Sequence, residues 1–280
     1  MKITIGIDLG GSTTKIVGFQ DHKLKIPTFV KADNPIASLF GALGKFIYDN
    51  SIQLNEIEKI MITGVGSAYV EQPLYGIPTY KVNEFTCNGL GGQYFTGLKD
   101  LIVVSMGTGT SLVQVNGDSI VHTGGIGIGG GTILGLSSLL LKTQDISHIM
   151  DLASRGNLSN IDLQIQDISR TPLPGLPLSA TASNFGKVRG FVSDEDIAIG
   201  IIHMVLQVIG KSAILSALNS NIKDFVMTGN LSKFPQCREI FQSLETMFDV
   251  HFIIPEHAEY GTAIGAALTE EHHLEMTEIR

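Results

Sequence analysis

Residues 4–24, TIGIDLGGSTTKIVGFQDHKL, and residues 101–120, LIVVSMGTGTSLVQVNGDSI, follow one plan. Each has an apolar strand, a turn of glycine, serine and threonine, and a second strand closed by a polar hairpin. The hairpin is Gln20-Asp21-His22 in the first and Asn116-Gly117-Asp118 in the second. A plan used twice predicts an internal duplication, with residues 1–100 as one domain and 101–280 as the other. Chance likeness of two hairpins is the simpler alternative, and the matching turn chemistry favours duplication. Strand-length apolar runs alternate with helical stretches, which predicts α/β layering. The hairpins make the sheets mixed rather than purely parallel.

The first half reads as strands at 2–8, 13–20, 24–32, 57–63 and 79–83. Helices are expected at 36–50 and from Glu84 to about Phe95, with a glycine turn at Gly64-Val65-Gly66. In the second half, residues 123–142 read as a glycine loop entering a helix, followed by a helix near 145–154. RTPLPGLPL at 170–178 reads as a loop because of its prolines. A long apolar helix with an acidic first turn is expected at 194–219. Strands at 224–229 and 250–254 then alternate with helices at 235–247 and 259–271.

Composition narrows the function classes. With 43% hydrophobic and 16% charged residues, the 280-residue chain is globular rather than disordered. A net charge of −8 argues against a nucleic-acid or anionic-membrane surface. The apolar segment 197–210 falls short of the roughly 20 residues a membrane span needs, and His203 and Gln207 interrupt it. It is expected to be a core helix or a subunit interface. MKITIGID lacks the apolar core and cleavage site of a signal peptide, so a cytoplasmic protein is expected. Cys87 and Cys237 are too few for a disulfide framework. The eight histidines form no zinc pattern, and His272-His273 reads as solvated tail.

The glycine turns carry the chemistry. A phosphate group needs several backbone N–H donors converging on one point, which glycine permits and Ser/Thr hydroxyls supplement. Asp8, Gly10, Gly11, Ser12, Thr13 and Lys15 in DLGGSTTK meet that need at the end of a strand. Lys15 offers a cation for the β- or γ-phosphate, and Asp8 suits Mg²⁺, a hard cation that keeps several waters. Taken singly, the stretch is equally a tight hairpin with a strand-end acid. Gly107, Thr108, Gly109, Thr110 and Ser111 repeat the chemistry, and two such turns across a cleft would grip a triphosphate from both sides. Neither has P-loop spacing, and the first opens a hairpin rather than a Rossmann helix. Residues 124–131, including Gly129, Gly130 and Gly131, would let a helix N-terminus approach an anion. The turn at Thr228-Gly229-Asn230 suits a base or ribose, or is an ordinary strand-to-helix turn. Glu84, at a strand-to-helix transition, is by residue type more often a helix cap or dipole partner than a catalytic acid.

Taken together, residues 5–15, VNEF, VSMGTGTS, HTGGIGIGGGTILGL, TASNFG and EYGTAIGAAL resemble, in order and over nearly the full length, the type II pantothenate kinases. These belong to the actin-like/sugar-kinase ATPase superfamily. The resemblance implies two duplicated actin-like (ribonuclease H-like) domains with an interdomain ATP cleft. It implies ATP with Mg²⁺, pantothenate as acceptor, Glu84 as general base, and Gly129–Gly131 on the phosphates. It places Thr181, Ala182 and Asn184 beside the pantothenate pocket, and it implies a homodimer in which the long helix takes part. One departure stands out. The family has arginine two residues before the glycine loop, near substrate and transferred phosphoryl, where this chain has His122. Imidazole lacks the permanent forked charge of guanidinium.

Two other readings remain. One is a kinase for an amino sugar or polyol on the same scaffold. The other is an ATP-driven dehydratase activator, which would hold an iron–sulfur cluster on paired cysteines. Cys87 and Cys237 lack the usual cluster spacing and are expected to be ordinary thiols.

Overall fold

The computed structural model describes residues 2–21, 23–31, 34–171, 175–272 and 274–279. His22 of the expected first hairpin, residues 172–174 of the proline-rich loop, and His273 lie outside the described residues.

The first half of the chain lays down β1 (Ile3–Leu9), β2 (Thr13–Gln20), β3 (Lys23–Leu24) and β4 (Thr28–Lys31), then helix α1 (Pro35–Asp49). It continues with β5 (Ile57–Thr63), β6 (Thr79–Val82) and helix α2 (Glu84–Thr96). The second half opens with β7 (Asp100–Met106), β8 (Thr110–Asn116) and β9 (Ser119–Ile126), then α3 (Gly130–Leu140) and α4 (Ile146–Arg155). A small excursion holds β10 (Leu163–Gln164), α5 (Ile165–Ile168) and β11 (Thr181–Ser183). Then come α6 (Asp194–Ser216), β12 (Asp224–Thr228), α7 (Gln236–Phe248), β13 (His251–Ile253), α8 (Gly261–Leu268) and β14 (Met276–Ile279).

The two large sheets repeat one topology. In the first the strand order is β14-β6-β5-β1-β2-β3, with β4 also on β2; in the second it is β13-β12-β7-β8-β9. β1 pairs antiparallel with β2 and parallel with β5, as β7 pairs antiparallel with β8 and parallel with β12. This is the mixed α/β layering expected from the two hairpins. The central strands are covered on both faces: on β1, Ile3, Ile5, Ile7 and Leu9 are buried on one face and Gly6 and Asp8 on the other.

Local departures have local causes. The single strand expected at 24–32 is two, β3 and β4, with Pro27 between them; proline has no N–H to give a sheet. β9 runs to Ile126, so Gly124 and Gly125 pair opposite Leu112 and Ser111, and the glycine loop shrinks to the residues just before α3. α8 is shorter than the expected 259–271 helix because residues 258–260 form a 3₁₀ turn. β14, β10 and β11 had no counterpart in the sequence reading.

By length and composition α6 is apolar enough to cross a membrane. Its Ile201, Ile202, Val205, Leu206 and Ile209 are instead buried in the core of the second lobe, where the helix packs on α4 and α7. Ser193 caps it by accepting a hydrogen bond from the Asp196 N–H.

The two lobes exchange helices. α2 follows the first sheet in sequence but lies on β7, β8 and β9; α8 follows the second sheet but lies on β1, β2 and β5. The helices cross at contact distance. A Cβ at Gly91 would stand 2.1 Å from the Gly261 carbonyl oxygen, and one at Gly265 only 1.8 Å from that of Cys87. No side chain fits there, so glycine in these helix interiors, normally unfavourable, is a condition of the crossing.

Candidate active site

A cleft of about 570 Å³ opens between the lobes where the two glycine turns face each other. Its walls include Asp8, Gly10, Gly11, Ser12, Thr13 and Lys15 from the first turn. Gly107, Thr108, Gly109, Thr110 and Ser111 come from the second, and Glu84 and Gly229 complete the expected set. Thirteen dispersed positions are brought to one cavity by the repeated hairpin, the start of α2 and the end of β12.

The first turn is charged. Asp8 and Lys15 are directly opposite on β1 and β2, both buried, with Lys15 Nζ 3.5 Å from Asp8 Oδ2. The Gly10 N–H donates to the Thr13 carbonyl and closes the tip. Glu84 begins α2 immediately after its cap Asn83, whose Oδ1 accepts from the N–H groups of Phe85 and Thr86. Burial pushes the Glu84 carboxyl above its ordinary range; the Asp8 charge adds to this and Lys15 opposes it. A raised carboxyl pKa in a cleft is what a base working near neutrality needs.

The second turn carries no ionisable side chain and is braced from behind. The Gly107 N–H donates to the Gly109 carbonyl; the N–H groups of Gly130 and Gly131 donate to the carbonyls of Gly107 and Thr108. The Gly129 N–H bonds to Thr132 Oγ1. Gly129, Gly130 and Gly131 therefore stand behind the turn and do not line the cleft, unlike the sequence expectation. Their reason for being glycine is close packing, since a Cβ at Gly129 would lie 2.6 Å from the Thr108 carbonyl oxygen.

At the far wall, Asn230 Oδ1 is buried without a partner among the described residues, as are Thr228 Oγ1 and Gln236 Oε1 nearby in the chain. An unmet acceptor in the cleft fits a ligand that brings donors, such as a base or a sugar hydroxyl. On the floor, Thr262 Oγ1 donates to Asn88 Oδ1 at 2.7 Å, joining α8 to α2. Gly125, Ile126 and Gly127 of the 124–131 stretch and Asn230 of the 228–230 turn also line the cleft, and so do Val65, Ser105 and Thr262, which were not among the expected site residues. Ser105 was detectable because it takes the place of Asp8 when the two hairpins are aligned on Gly10 and Gly107.

The acceptor residues are less gathered. His122 lies flat on Phe85, with ring centroids 3.7 Å apart and planes at 7°, so it abuts the turn that carries Glu84. Thr181, Ala182 and Asn184 are on and beside β11 and are not among the cleft walls. They are organised by Asp162, which sequence reasoning missed. Its fully buried carboxylate accepts from Thr181 Oγ1 at 2.9 Å, Asn184 Nδ2 at 3.3 Å and the Phe185 N–H at 2.9 Å. His203 Nδ1 lies 3.1 Å away. Burial pushes both cysteine thiols up to about 12, Cys237 against the Leu231 carbonyl. Inert, protonated thiols are poor metal ligands. Among the described residues no cluster of three metal-ligating side chains occurs.

A repeated mixed sheet with two hydroxyl- and glycine-rich turns facing across a cleft defines the actin-like fold. Solved structures agree at the level of fold. An activator of 2-hydroxyisocaproyl-CoA dehydratase from Clostridium difficile with bound ADPNP matches with a TM-score of 0.68. It is 15% identical, with 97% of this chain and 96% of that one covered. A ROK family glucokinase from Streptomyces griseus, in complex with glucose and AMPPNP, gives 0.63 at 12% identity over 95% of this chain and 98% of its own. Sequence is more specific. The family model described as Fumble matches residues 100–269. A type II pantothenate kinase of Bacillus cereus (strain G9842) is 31% identical, over 96% of this chain and 98% of its own. One of Staphylococcus aureus (strain USA300) is also 31% identical, over 95% and 99%. The chain belongs to the type II pantothenate kinase family.

Proposed function

We propose that this enzyme transfers the terminal phosphoryl group of ATP to the primary hydroxyl of pantothenate, giving 4′-phosphopantothenate, the first step of coenzyme A biosynthesis. The observation that carries the reading is the placement of Glu84, with its raised pKa, in the same cleft as both phosphate turns. Bound ATP would supply the phosphoryl group, and Mg²⁺ would neutralise charge on it. The amides of Gly11, Ser12, Thr108 and Gly109 and the hydroxyls of Ser12, Thr13, Thr108 and Ser111 hold the phosphates, with Gly10 and Gly107 closing the two turns, Gly129–Gly131 keeping the second turn in shape and Gly229 beside the nucleoside. Lys15 sets a positive charge against the phosphates, and Asp8 would hold Mg²⁺. A single carboxylate fits Mg²⁺, which takes one or two protein ligands and keeps water.

Glu84 accepts the proton of the acceptor hydroxyl as that oxygen attacks phosphorus. His122, steadied by Phe85, donates a hydrogen bond to the acceptor. Thr181, Ala182 and Asn184 shape its pocket from the Asp162 hub. The lobes divide near residue 100, with α8 and β14 returning to the first sheet. A cytoplasmic homodimer completes the reading; Leu139, Leu140, Leu215 and Leu218, exposed at the ends of α3 and α6, support a subunit contact.

An ADP-release assay with ATP and Mg²⁺ tests this, comparing pantothenate, pantetheine and N-acetylglucosamine. Turnover is expected with pantothenate and none with the sugar. Pantothenate-independent behaviour, or turnover with N-acetylglucosamine alone, would sink the assignment in favour of another acceptor.

A further inference from the structure

A second cavity, of about 440 Å³, lies behind the α2–α8 crossing. The elements that line the cleft with one end line this cavity with the other. On α2, Glu84 faces the cleft and Tyr94 the rear cavity; on α8, Thr262 faces the cleft and Leu268 the rear; on β2, Lys15 and Phe19 divide likewise. Its two walls belong to different lobes. Phe19 and Leu268 come from the first sheet and the helix covering it, while Tyr94, Leu98, Lys99 and Asp118 come from α2 and the second sheet. The rings of Phe19 and Tyr94 meet edge to face across the divide, 5.5 Å between centroids. Rotation of the lobes about the glycine crossing that narrows the cleft must widen this cavity.

Its chemistry is that of a binding site for one kind of small molecule. The floor is apolar and aromatic. At the rim, the Gly117 N–H donates to the Lys99 carbonyl at 2.9 Å and so fixes Lys99 beside Asp118. Neither side chain makes a hydrogen bond or ion pair among the described residues. Glu271 and His272 also border the cavity, and Glu271 is already engaged with a partner, which leaves Lys99 and Asp118 as the charges still to be met; a ligand of one charge would be attracted by one of them and repelled by the other, whereas a zwitterion satisfies both. The volume lies within the range of small-molecule pockets.

We propose that the rear cavity is an effector site for a small zwitterion with an apolar side chain, in chemical class a free α-amino acid. Its occupancy wedges the rear open and tightens nucleotide binding in the cleft. The proposal rests on the nucleotide part of the function above and not on the identity of the acceptor.

Calorimetry with L-phenylalanine as probe, on the full chain, tests it. One saturable site per chain is expected. 3-Phenylpropionate and phenethylamine, which keep one charge each, should bind at least about ten-fold more weakly, as should L-phenylalanine to Lys99→Ala or Asp118→Ala. Both substitutions are at exposed positions, so folding is not at stake. Leu98→Trp should abolish probe binding by filling the site. Saturating L-phenylalanine should tighten ADPNP binding about five-fold or more, and ADPNP should tighten the probe by the same factor. No saturable site, or binding indifferent to Leu98→Trp, would overturn the site. An unchanged or weakened ADPNP affinity would overturn the coupling. ADPNP failing to bind at all would sink the nucleotide reading and the coupling together, leaving probe binding to be judged alone.

Discussion

In the first sheet, the turn between β1 and β2 is flanked by charge: Asp8 and Lys15 face each other in the interior, with Glu84 close enough to feel both. In the second sheet, the turn at the same topological place has glycine, serine and threonine alone and is braced by the N–H groups opening α3. One scaffold, used twice, has divided its work. On the proposed function, the charged copy moves a proton and a phosphoryl group. The neutral copy is built for holding, and its shape comes from backbone packing rather than electrostatics.

That division can be broken most severely at Glu84. Glu84→Gln should lower kcat by about 10²–10⁴, the usual worth of a general base, while ADPNP affinity measured by titration stays within about two-fold. The acid limb of the wild-type pH–rate profile should lie above the ordinary glutamate range, because the raised pKa keeps the base protonated until higher pH. The sign for stability is opposite to that for activity. A carboxyl whose folded pKa is raised binds more protons folded than unfolded, so its contribution falls as pH rises through that pKa. Glu84→Gln should therefore melt no lower than wild type at neutral pH, and higher if the buried charge is costly. A matching loss of stability and activity would remove Glu84 from the chemistry.

Asp8→Asn comes next. It leaves the buried Lys15 ammonium without its partner and should cost roughly 1–3 kcal/mol in denaturant titration, beyond any loss of turnover. On the neutral copy, Ser111→Ala, in the strand equivalent to β2, should cost under about 0.5 kcal/mol of stability. Equal costs would contradict the contrast between the turns. The smallest effects are expected from the neutral copy's binding role. Gly129→Ala, by displacing the Thr108 carbonyl, should weaken ADPNP about ten-fold with kcat little changed, which is the worth of about 1.4 kcal/mol of overpacking. Ser111→Ala should weaken it about three-fold, as the loss of one neutral hydrogen bond would.

Much of the scaffold was written locally. Both hairpins, the start of α2 at Glu84 and the acidic opening of α6 carry their signals within a few residues, as caps, turn residues and alternation. Pro27 also held a local signal, since a missing N–H interrupts a strand. What could not be read is what depends on distance. Asp162 gathers residues 19 to 41 positions away, and no spacing rule links them. Gly91 and Gly265 look like weak points in helices until the opposing backbone is seen. Gly129–Gly131 looked like ligand-facing amides, and only the structure reveals that neighbouring residues already use them. The antiparallel pairing of β14 with β6 joins the last described strand to the first sheet, and nothing in MTEI specifies that partner.

That return has a consequence for how the protein is made. During synthesis β1, β2 and β5 emerge early, but the helix that covers them, α8, and the edge strand β14 emerge only after the whole second sheet. The first lobe thus cannot mature as an independent unit while the chain is still growing. Its apolar surface must wait, exposed or shielded by a chaperone, until the late segment threads back. Truncation just before Gly261 would then damage the earlier-made half more than the half from which the residues were cut.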